Sequence, residues 1–331
     1  MNKVIELRSR PVGEPTLSDF NFEETEKPTA SDGEILLKTE YVSVDPYLRG
    51  RMSDADSYVE PFELDKPISS AIVAKVVSSK NKRFDEGDYI TAELDWKEYQ
   101  LSDGKNVRKI DPNAAPLSAN LGILGMTGIT AYIGLTEIGQ LKEGETLVVS
   151  GAAGAVGSVV GQIGKIKGCH VVGIAGSDEK IELLKSKFGF DEGINYKKTE
   201  AMGEAIAQAS PDGVDVYFDN VAGRISDGVY QNMADFGRIV NCGAIALYNA
   251  TEMPTGPRVE PMLIKKRVSM QGFIVGDHQD KFTEAVKQLG KWLGEGQLEY
   301  SETVVEGFEN IPQAFLDLFE GKNKGKMIVK V

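Results

Sequence analysis

The stretch that decides the fold runs from Thr146 to Gly168 and reads TLVVSGAAGAVGSVVGQIGKIKG. It begins with an apolar, β-rich run, continues through a turn containing Gly151, Gly154 and Gly157, and ends in a helical pattern. Strand, glycine turn and helix in this order present backbone N–H groups at a helix N-terminus to a phosphate. The spacing is GxxGxxG rather than GxGxxG, and close helix packing alone can also require such glycines. The elements around it favour a dinucleotide-binding site.

Short apolar strands and helical stretches alternate around this turn. Strands are predicted at Thr146–Ser150, His170–Ile174, Gly193–Asn195, Val214–Asp219, Arg238–Cys242 and Ser269–Val275. Helices are predicted at Val156–Lys167, Glu179–Phe188, Glu200–Ala209 and Ile225–Met233. This alternation is typical of an α/β fold with a doubly wound, six-stranded parallel sheet, the Rossmann arrangement.

The sequence pattern at the two ends of the chain differs from this alternation and predicts mainly β-strands. In the first part, strands are predicted at Glu34–Val44, Ser70–Ser78, Asp88–Ala92 and Trp96–Leu101. In the last part, the prediction is a strand at Glu302–Val305, a helix at Ile311–Phe319 and a strand at Lys326–Val331. We therefore expect a discontinuous β-rich domain (residues 1–124 and 300–331) into which an α/β domain (residues 125–299) is inserted.

Composition excludes several classes of protein. With 37 Lys and Arg against 50 Asp and Glu in 331 residues, the net charge is −13, which argues against nucleic-acid and anionic-membrane partners. Two cysteines and two histidines cannot form a disulfide framework and lack the spacing of a zinc site. The uncharged runs Pro112–Thr136 and Thr146–Gly164 are interrupted by glycines and polar residues, which indicates buried core rather than membrane spans. These features predict a cytoplasmic protein without a metal.

The residues alone leave the choice between NAD and NADP open. NAD sites usually place an acidic residue about 20 positions after the glycine turn, at the tip of the second strand. Here the corresponding position is Gly176, and Lys180 lies in the first turn of the next helix. A cation there opposes the helix dipole unless a phosphate is bound, whereas the nearby Asp178 and Glu179 argue the other way.

Several longer motifs resemble one protein family over essentially the whole chain. They are VSVDPYLRGRMSD, VVSGAAGAVGSVVGQIGKIKGC, AGSDEK, VYFDNVAG, CGAIALYNATEMPTGP, MQGFIV and FENIPQAFLDLFEGKNKGK. The chain resembles the zinc-independent branch of the medium-chain dehydrogenases/reductases that contains prostaglandin reductases, plant 2-alkenal reductases and bacterial curcumin reductases. The resemblance implies a GroES-like substrate domain, a Rossmann domain and an active site in the cleft between them. It also implies a homodimer and NADPH-dependent reduction of a carbon–carbon double bond conjugated to a carbonyl.

The resemblance also implies roles for individual residues. Tyr248 corresponds to the active-site tyrosine, and Tyr47 and Tyr58 correspond to substrate contacts. Lys180 and Tyr196 correspond to the pair that holds the 2′-phosphate of NADP(H). The implied cofactor contacts are Gly154, Ala155, Val156, Gly157, Lys180, Tyr196, Asn220, Cys242, Gly243, Ala244, Ile245, Phe273, Ile274, Val275 and Asn323.

Some of these residues have simpler interpretations. Asn220 can cap the next helix, Cys242 is expected to pack with only its backbone near the cofactor, and Tyr248 can be a half-buried loop residue bonded to backbone. Met253, in a Pro- and Gly-rich segment, is a candidate for lining an apolar substrate pocket, although methionines more often fill a core.

Three functions compete at this point. The first is an NADPH-dependent enone or enal reductase with Tyr248 stabilising the enolate. The second is a quinone reductase of the same superfamily, which does not need this tyrosine. The third is a non-catalytic NADPH-binding sensor or assembly partner.

Overall fold

The computed structural model describes all residues from 1 to 331, and its backbone divides into two compact units. Unit 1 comprises Met1–Gly122, Glu302–Asn323 and Met327–Val331, and unit 2 comprises Ile123–Ser301 and Lys324–Lys326. The domain limits expected from the sequence remain a prediction, because compactness does not by itself show which segments fold independently.

Unit 2 is built on a six-stranded sheet with helices between its strands. The strands are β8 (Thr146–Ser150), β9 (His170–Ala175), β10 (Glu192–Asn195), β11 (Val214–Asp219), β12 (Met233–Asn241) and β13 (Ser269–Gly272). The helices are α2 (Met126–Ile133), α3 (Ala155–Ile166), α4 (Asp178–Ser186), α5 (Met202–Ala209), α6 (Gly223–Tyr230), α7 (Glu260–Lys266) and α8 (Phe282–Gly294). All strands are parallel in the order β10-β9-β8-β11-β12-β13. The predicted doubly wound sheet is thus confirmed, and the order reverses between β8 and β11, where such folds bind ligands.

The central strand β8 is apolar because helices cover both faces of the sheet. All five of its residues are buried, as a strand in the middle of a parallel sheet requires. Glycines let α3 lie close to this sheet. A Cβ atom on Gly161 would lie 1.8 Å from the ring of Phe190, and one on Gly164 would lie 2.7 Å from Leu147.

Several predicted boundaries in unit 2 are wrong. The strand expected to begin at Arg238 begins at Met233, and the helix expected to begin at Glu200 begins at Met202. The helix expected to reach Met233 ends at Tyr230, and Met233 is the first residue of β12. The Nδ2 of Asn232 donates to the carbonyls of Gly203 (2.8 Å) and Gly228 (3.0 Å), which satisfies a helix carbonyl and ends α6. The strand expected to reach Val275 stops at Gly272, because the chain turns there and the Phe273 ring packs on Phe218.

Unit 1 is mainly β-structure. Its elements are β1 (Asn2–Leu7), β2 (Phe20–Thr25), β3 (Ile35–Ser43), α1 (Leu48–Arg51), β4 (Ser69–Ser79), β5 (Tyr89–Asp95), β6 (Tyr99–Ser102), β7 (Arg108–Ile110), β14 (Glu302–Glu306), α9 (Ile311–Phe319) and β15 (Lys326–Lys330). One sheet has the order β14-β15-β3-β4-β5-β7 with β6 also paired to β3, and β1 and β2 form a separate hairpin. Trp96 is fully buried within unit 1, and its indole N–H donates to Ser70 Oγ at 2.8 Å.

The uncharged runs form buried structure. Thr146–Gly164 contains β8 and most of α3, and the run ending at Thr136 contains the buried helix α2. No helix in the chain combines the length and the apolar character that crossing a membrane requires.

Candidate active site

The glycine turn closes tightly between β8 and α3. Gly151 has φ +57°, Gly154 is the extended N-cap residue, and α3 begins at Ala155. A Cβ atom on Gly157 would lie 2.4 Å from the carbonyl oxygen of Gly151, so only glycine fits this position. The amides of Ala155, Val156 and Gly157 belong to the first turn of α3, where no intrahelical acceptor exists. The turn can therefore bind an anion.

A distant segment of the chain supports this turn. The N–H of Gly325 donates to the carbonyl of Ala153 at 2.8 Å, and Gly325 pairs with Gly154 in a parallel bridge. Gly325 has φ +69°, and a Cβ atom there would lie 1.8 Å from the carbonyl oxygen of Ser301. Only glycine can take this place beside the turn.

Three lysines gather at the start of α4. Ser177 caps the helix by accepting the Lys180 N–H at 3.2 Å. Burial, followed by the charges of Lys197 and Lys324, lowers the pKa of the Lys180 ammonium. The Tyr196 ring packs against Gly176 at the end of β9, since a Cβ atom on Gly176 would lie 3.0 Å from the ring. Mutually repelling cations at a helix N-terminus favour a bound anion such as a phosphate.

The two carboxylates that argued for NAD are paired with cations. Asp178 accepts from Lys198 and from Asn195 Nδ2 (2.7 Å), and these hydrogen bonds hold the pKa of its carboxyl below the usual range. Glu179 pairs with Lys324. Their pairing reduces the repulsion that a phosphate near Lys180 would meet.

The end of β11 is joined to the end of β8. Asn220 donates through its backbone N–H to Ser150 Oγ (2.8 Å) and through Nδ2 to the Ser150 carbonyl (2.8 Å). Its side chain does not cap α6, whose N-cap residue is Ala222. Asn220 thus lies at the point of the sheet where the strand order reverses.

Tyr248 belongs to a segment that follows β12. Its phenol oxygen accepts the Ala244 N–H at 3.2 Å and lies within 3.3 Å of where a Cβ atom on Gly243 would be. Burial raises the pKa of the phenol, so Tyr248 is neutral at physiological pH. Because its oxygen accepts from the backbone, the phenol proton remains available for donation.

Cys242, at the start of this segment, holds a thiol that is not activated. Burial and then the charge of Asp219 raise its pKa to about 12. Such a thiol packs like a small apolar group, as the sequence suggested, and is not a nucleophile. The Phe273 ring packs edge-on against Phe218 at 6.5 Å between centroids.

Other expected site residues lie in unit 1. Tyr47 precedes α1, and burial, then Glu93 and Asp45, raises the pKa of its phenol. Tyr58 is 65% exposed and adds to this shift, which places it near Tyr47. Asn323 ends the second segment of unit 1.

Two further residues have clear environments. Arg51 pairs with Glu93 at 3.4 Å. Met253, in unit 2, is 90% exposed, so it lines no pocket within that unit.

Four residues that matter at this site were missed by sequence reasoning. They are Ser150, Lys197, Asp219 and Lys324. Ser150 and Asp219 end two apolar strands, and a polar residue at a strand's carboxyl end is a signal that could have found them. Lys324 is far from Lys180 in sequence, and no local pattern predicts their proximity.

Comparison with known proteins identifies the family. Residues 3–110 match the family described as N-terminal domain of oxidoreductase, and residues 155–291 match the family described as zinc-binding dehydrogenase. The chain is 57% identical over 329 residues to the putative NADP-dependent oxidoreductase YfmJ of Bacillus subtilis, covering 99% of this chain and 97% of that protein. It is 42% identical over 330 residues to the NADPH-dependent curcumin reductase of Escherichia coli, covering 98% and 95%.

The chain is also similar over its length to a solved structure. CurA from Vibrio vulnificus, crystallised in complex with NADPH, superposes with a TM-score of 0.95 at 45% identity over 99% of both chains. Despite the second family's description, this chain contains no group of three or more His, Cys, Asp or Glu side chains that could hold a metal ion. The chain therefore belongs to the medium-chain dehydrogenase/reductase superfamily, in the branch that includes bacterial curcumin reductase, as the sequence motifs predicted.

Proposed function

We propose that the protein is an NADPH-dependent reductase of carbon–carbon double bonds conjugated to a ketone or aldehyde. The observation that carries this proposal is the half-buried, neutral phenol of Tyr248 beside the carboxyl end of β12. The similarity of the whole chain to an NADPH-dependent curcumin reductase supports the same class of substrate, because curcumin is a conjugated enone.

NADPH fits the residues at the carboxyl end of the sheet. We assign the pyrophosphate to the first turn of α3, at Gly154–Gly157, because its free amides and close glycine packing suit a phosphate group. We assign the 2′-phosphate to Lys180 and Tyr196, with Lys197 and Lys324 adding positive charge. The remaining proposed contacts are Asn220, Cys242, Gly243, Ala244, Ile245, Phe273, Ile274, Val275 and Asn323.

Tyr248 would stabilise the charge that the reaction creates. When bound, NADPH supplies the hydride that reduces the substrate's β-carbon. Negative charge then develops on the substrate's carbonyl oxygen, and a preorganised hydrogen-bond donor at that oxygen lowers the barrier. The neutral Tyr248 phenol is such a donor, and it can also pass a proton towards the α-carbon. On the substrate side, we propose contacts with Tyr47, Tyr58 and Met253.

The test is NADPH oxidation with four acceptors: a medium-chain 2-alkenal, curcumin, a quinone and a buffer blank. We expect turnover of the alkenal and curcumin with NADPH, slow turnover with NADH, and a loss of about 10²–10³-fold in kcat in Tyr248→Phe, the usual cost of removing one oxyanion donor. Tyr132→Phe is the matched control. It removes a phenol bonded to Glu284 (3.0 Å) on α8 and should keep full activity.

The outcomes separate the competing functions. Turnover of the quinone alone, unaffected by Tyr248→Phe, would establish a quinone reductase instead. NADPH binding without turnover of any acceptor would indicate a binding protein rather than an enzyme.

We also propose that the protein is a cytoplasmic homodimer. Its two cysteines are unpaired with each other, which suits a reducing compartment. The terminal strand β13 pairs with β12 alone and offers its other edge to a second copy. Light scattering after gel filtration tests the dimer, and a monomeric mass at micromolar concentration would refute it.

A further inference from the structure

The carboxylate of Asp219 is the centre of a buried polar network at the end of β11. Asp219 is 1% exposed, and its Oδ1 accepts from Ser150 Oγ (2.7 Å) and Tyr217 Oη (2.9 Å). Its Oδ2 accepts from Ser226 Oγ at 2.6 Å. A buried carboxylate with this many donors is held in one orientation.

The same carboxylate fixes the backbone that follows it. Oδ1 also accepts the N–H groups of Val221 and Ala222, each at 2.9 Å. Ala222 has φ +64° and ψ −163°, a conformation that residues other than glycine rarely adopt. The bond to its N–H helps to hold this strained turn in place.

The turn at residues 219–222 is bonded to the segment that contains Tyr248. The carbonyl of Asp219 accepts the N–H groups of Cys242 (2.8 Å) and Gly243 (3.1 Å). Farther along, Ala246 donates to the carbonyl of Val221 at 3.1 Å. The Ala244 N–H that contacts the Tyr248 phenol lies between these anchored positions.

We propose that Asp219 is a positioning residue for the reaction, fixing through the turn at residues 219–222 the segment that places Tyr248. This inference rests on the proposed function, since it assigns Asp219 a role only if Tyr248 acts on the substrate. Asp219 itself need not touch substrate or cofactor. An asparagine in its place keeps the shape, but its NH₂ group cannot accept the bond that Oδ2 accepts from Ser226, and its neutral oxygen accepts the bonds made to Oδ1 more weakly than a carboxylate does.

The experiment is a double-mutant cycle of Asp219→Asn and Tyr248→Phe, with kcat measured at saturating NADPH and 2-alkenal. We expect Asp219→Asn to lower kcat on the order of 10–100-fold in the wild-type background, the loss that a small misplacement of a reacting group produces. In the Tyr248→Phe background the same change should lower kcat less than about twofold, because residues that act as one unit are not additive. The dissociation constant of NADPH, measured by fluorescence, reports separately on the cofactor contacts proposed for Asn220 and residues 242–245, which the same turn carries.

The matched control is Asp215→Asn. Asp215 lies on the same strand and accepts a backbone N–H of β8, that of Thr146 (2.8 Å), but at the opposite end of the sheet. This variant should keep the wild-type kcat in both backgrounds.

Equal losses of kcat in both backgrounds would overturn the inference while leaving the proposed function intact. An unchanged kcat in Tyr248→Phe alone would overturn the proposed role of that tyrosine, and the inference with it. If Asp219→Asn does not fold, Tyr217→Phe takes its place in the cycle, because it removes a donor to Oδ1, the oxygen that also accepts the Val221 and Ala222 N–H groups, and keeps the carboxylate. The same two criteria then decide the result.

Discussion

Lys180 is placed where a helix ordinarily disfavours a cation. It lies in the first turn of α4, and burial and two neighbouring lysines lower its pKa. A bound phosphate turns this unfavourable position into a favourable one. We expect Lys180→Gln to raise the KM for NADPH about 10–100-fold, in line with roughly 1.5–3 kcal/mol for a charged hydrogen bond.

The cofactor comparison makes this prediction specific. The KM for NADH, which lacks the 2′-phosphate, should stay within about twofold in Lys180→Gln, because no phosphate contact is lost. Lys185→Gln on the same helix, which removes a surface pair with Glu192 (2.9 Å), should change neither constant. Equal increases for NADPH and NADH would contradict the assignment of Lys180 to the phosphate.

Ala222 stores backbone strain. Its φ of +64° with ψ of −163° is accessible almost only to glycine, and such a conformation costs on the order of 1–3 kcal/mol. We expect Ala222→Gly to raise the melting temperature by about 2–4 °C, since relief of strain outweighs the roughly 0.5–1 kcal/mol entropic cost of glycine. Differential scanning calorimetry measures the change.

An alanine in ordinary helical geometry provides the control. Ala207 is exposed in the interior of α5, and Ala207→Gly should destabilise the protein by about 0.5–1 kcal/mol. Opposite signs for the two substitutions would establish the strain at Ala222. A lower melting temperature in both would rule it out.

At the scale of single residues, the sequence predicts what lies next to a recognisable motif. Lys180 follows the strand that comes after the glycine turn, and its position alone raised the possibility of a phosphate. The pairing of Asp178 with Lys198 and of Glu179 with Lys324 could not be predicted, because it depends on how separate loops meet. The sequence gives the charge of each residue directly, whereas the identity of its ion-pair partner depends on the fold.

The glycine turn and α3 form one element whose packing depends on Gly157. A Cβ atom there would lie 2.4 Å from the Gly151 oxygen and 2.8 Å from the Ala152 Cα, both in the backbone of the same turn. No side-chain rotation can relieve this contact. We expect Gly157→Ala to weaken NADPH binding about 5–150-fold, since overpacking costs roughly 1–3 kcal/mol.

Titration of the intrinsic fluorescence with NADPH measures this effect. Gly294→Ala is the matched control, because that glycine ends α8 and has open space around its Cα. It should bind NADPH like the wild-type protein. Unchanged binding in Gly157→Ala would show that the turn can widen, contrary to the geometry described here.

The elements predicted best from the sequence are the buried strands at the centre of the parallel sheet. The strands at Thr146–Ser150 and Val214–Asp219 agree with the structure residue for residue, since buried parallel strands are continuously apolar. The edge strand β1 was missed because Lys3 and Glu6 interrupt its apolar residues. Helix α8 was missed as well, although its buried residues Ala285 and Leu289 are four positions apart.

Stability of the molecule as a whole should depend on pH through the pair formed by Arg238 and Glu145. Arg238 donates to Glu145 Oε1 (2.9 Å) and Oε2 (2.5 Å). Burial opposes ionisation of Glu145, but the bond from Arg238 prevails and holds the pKa of its carboxyl below the ordinary 4.5. A carboxyl with a lowered pKa stabilises the fold above its unfolded pKa, and this contribution fades as pH falls through the folded value.

Arg238→Gln should therefore lower the melting temperature most at neutral pH. The difference from wild type should shrink as pH falls below 4.5 and through the lowered pKa at which wild-type Glu145 loses its charge. Part of the difference should persist, because Arg238 also donates to the carbonyl of Gly139 at 2.9 Å. Lys185→Gln, which breaks an exposed pair, should show no such trend, and a constant difference in Arg238→Gln at every pH would contradict the assignment.

At the scale of the molecule, the sequence predicted that the β-rich texture returns near the end of the chain. It did not predict that Lys324–Lys326 would group with the α/β unit. The reason lies in the bonds of Gly325 to Ala153 and of Lys326 to the Ser301 carbonyl (2.9 Å), which join residues far apart in sequence. Local periodicity carries no information about such contacts.

The contact between Gly325 and the glycine turn also bears on biosynthesis. The turn at Gly151–Gly157 leaves the ribosome long before Gly325 is translated. Until then, a nascent chain holds the turn without the segment that braces it, and a messenger cut short before codon 325 encodes a protein whose turn is never braced. The bond from Gly325 to Ala153 can form only when translation has reached the residue just before the last strand, so the turn is among the last parts of the fold to be completed.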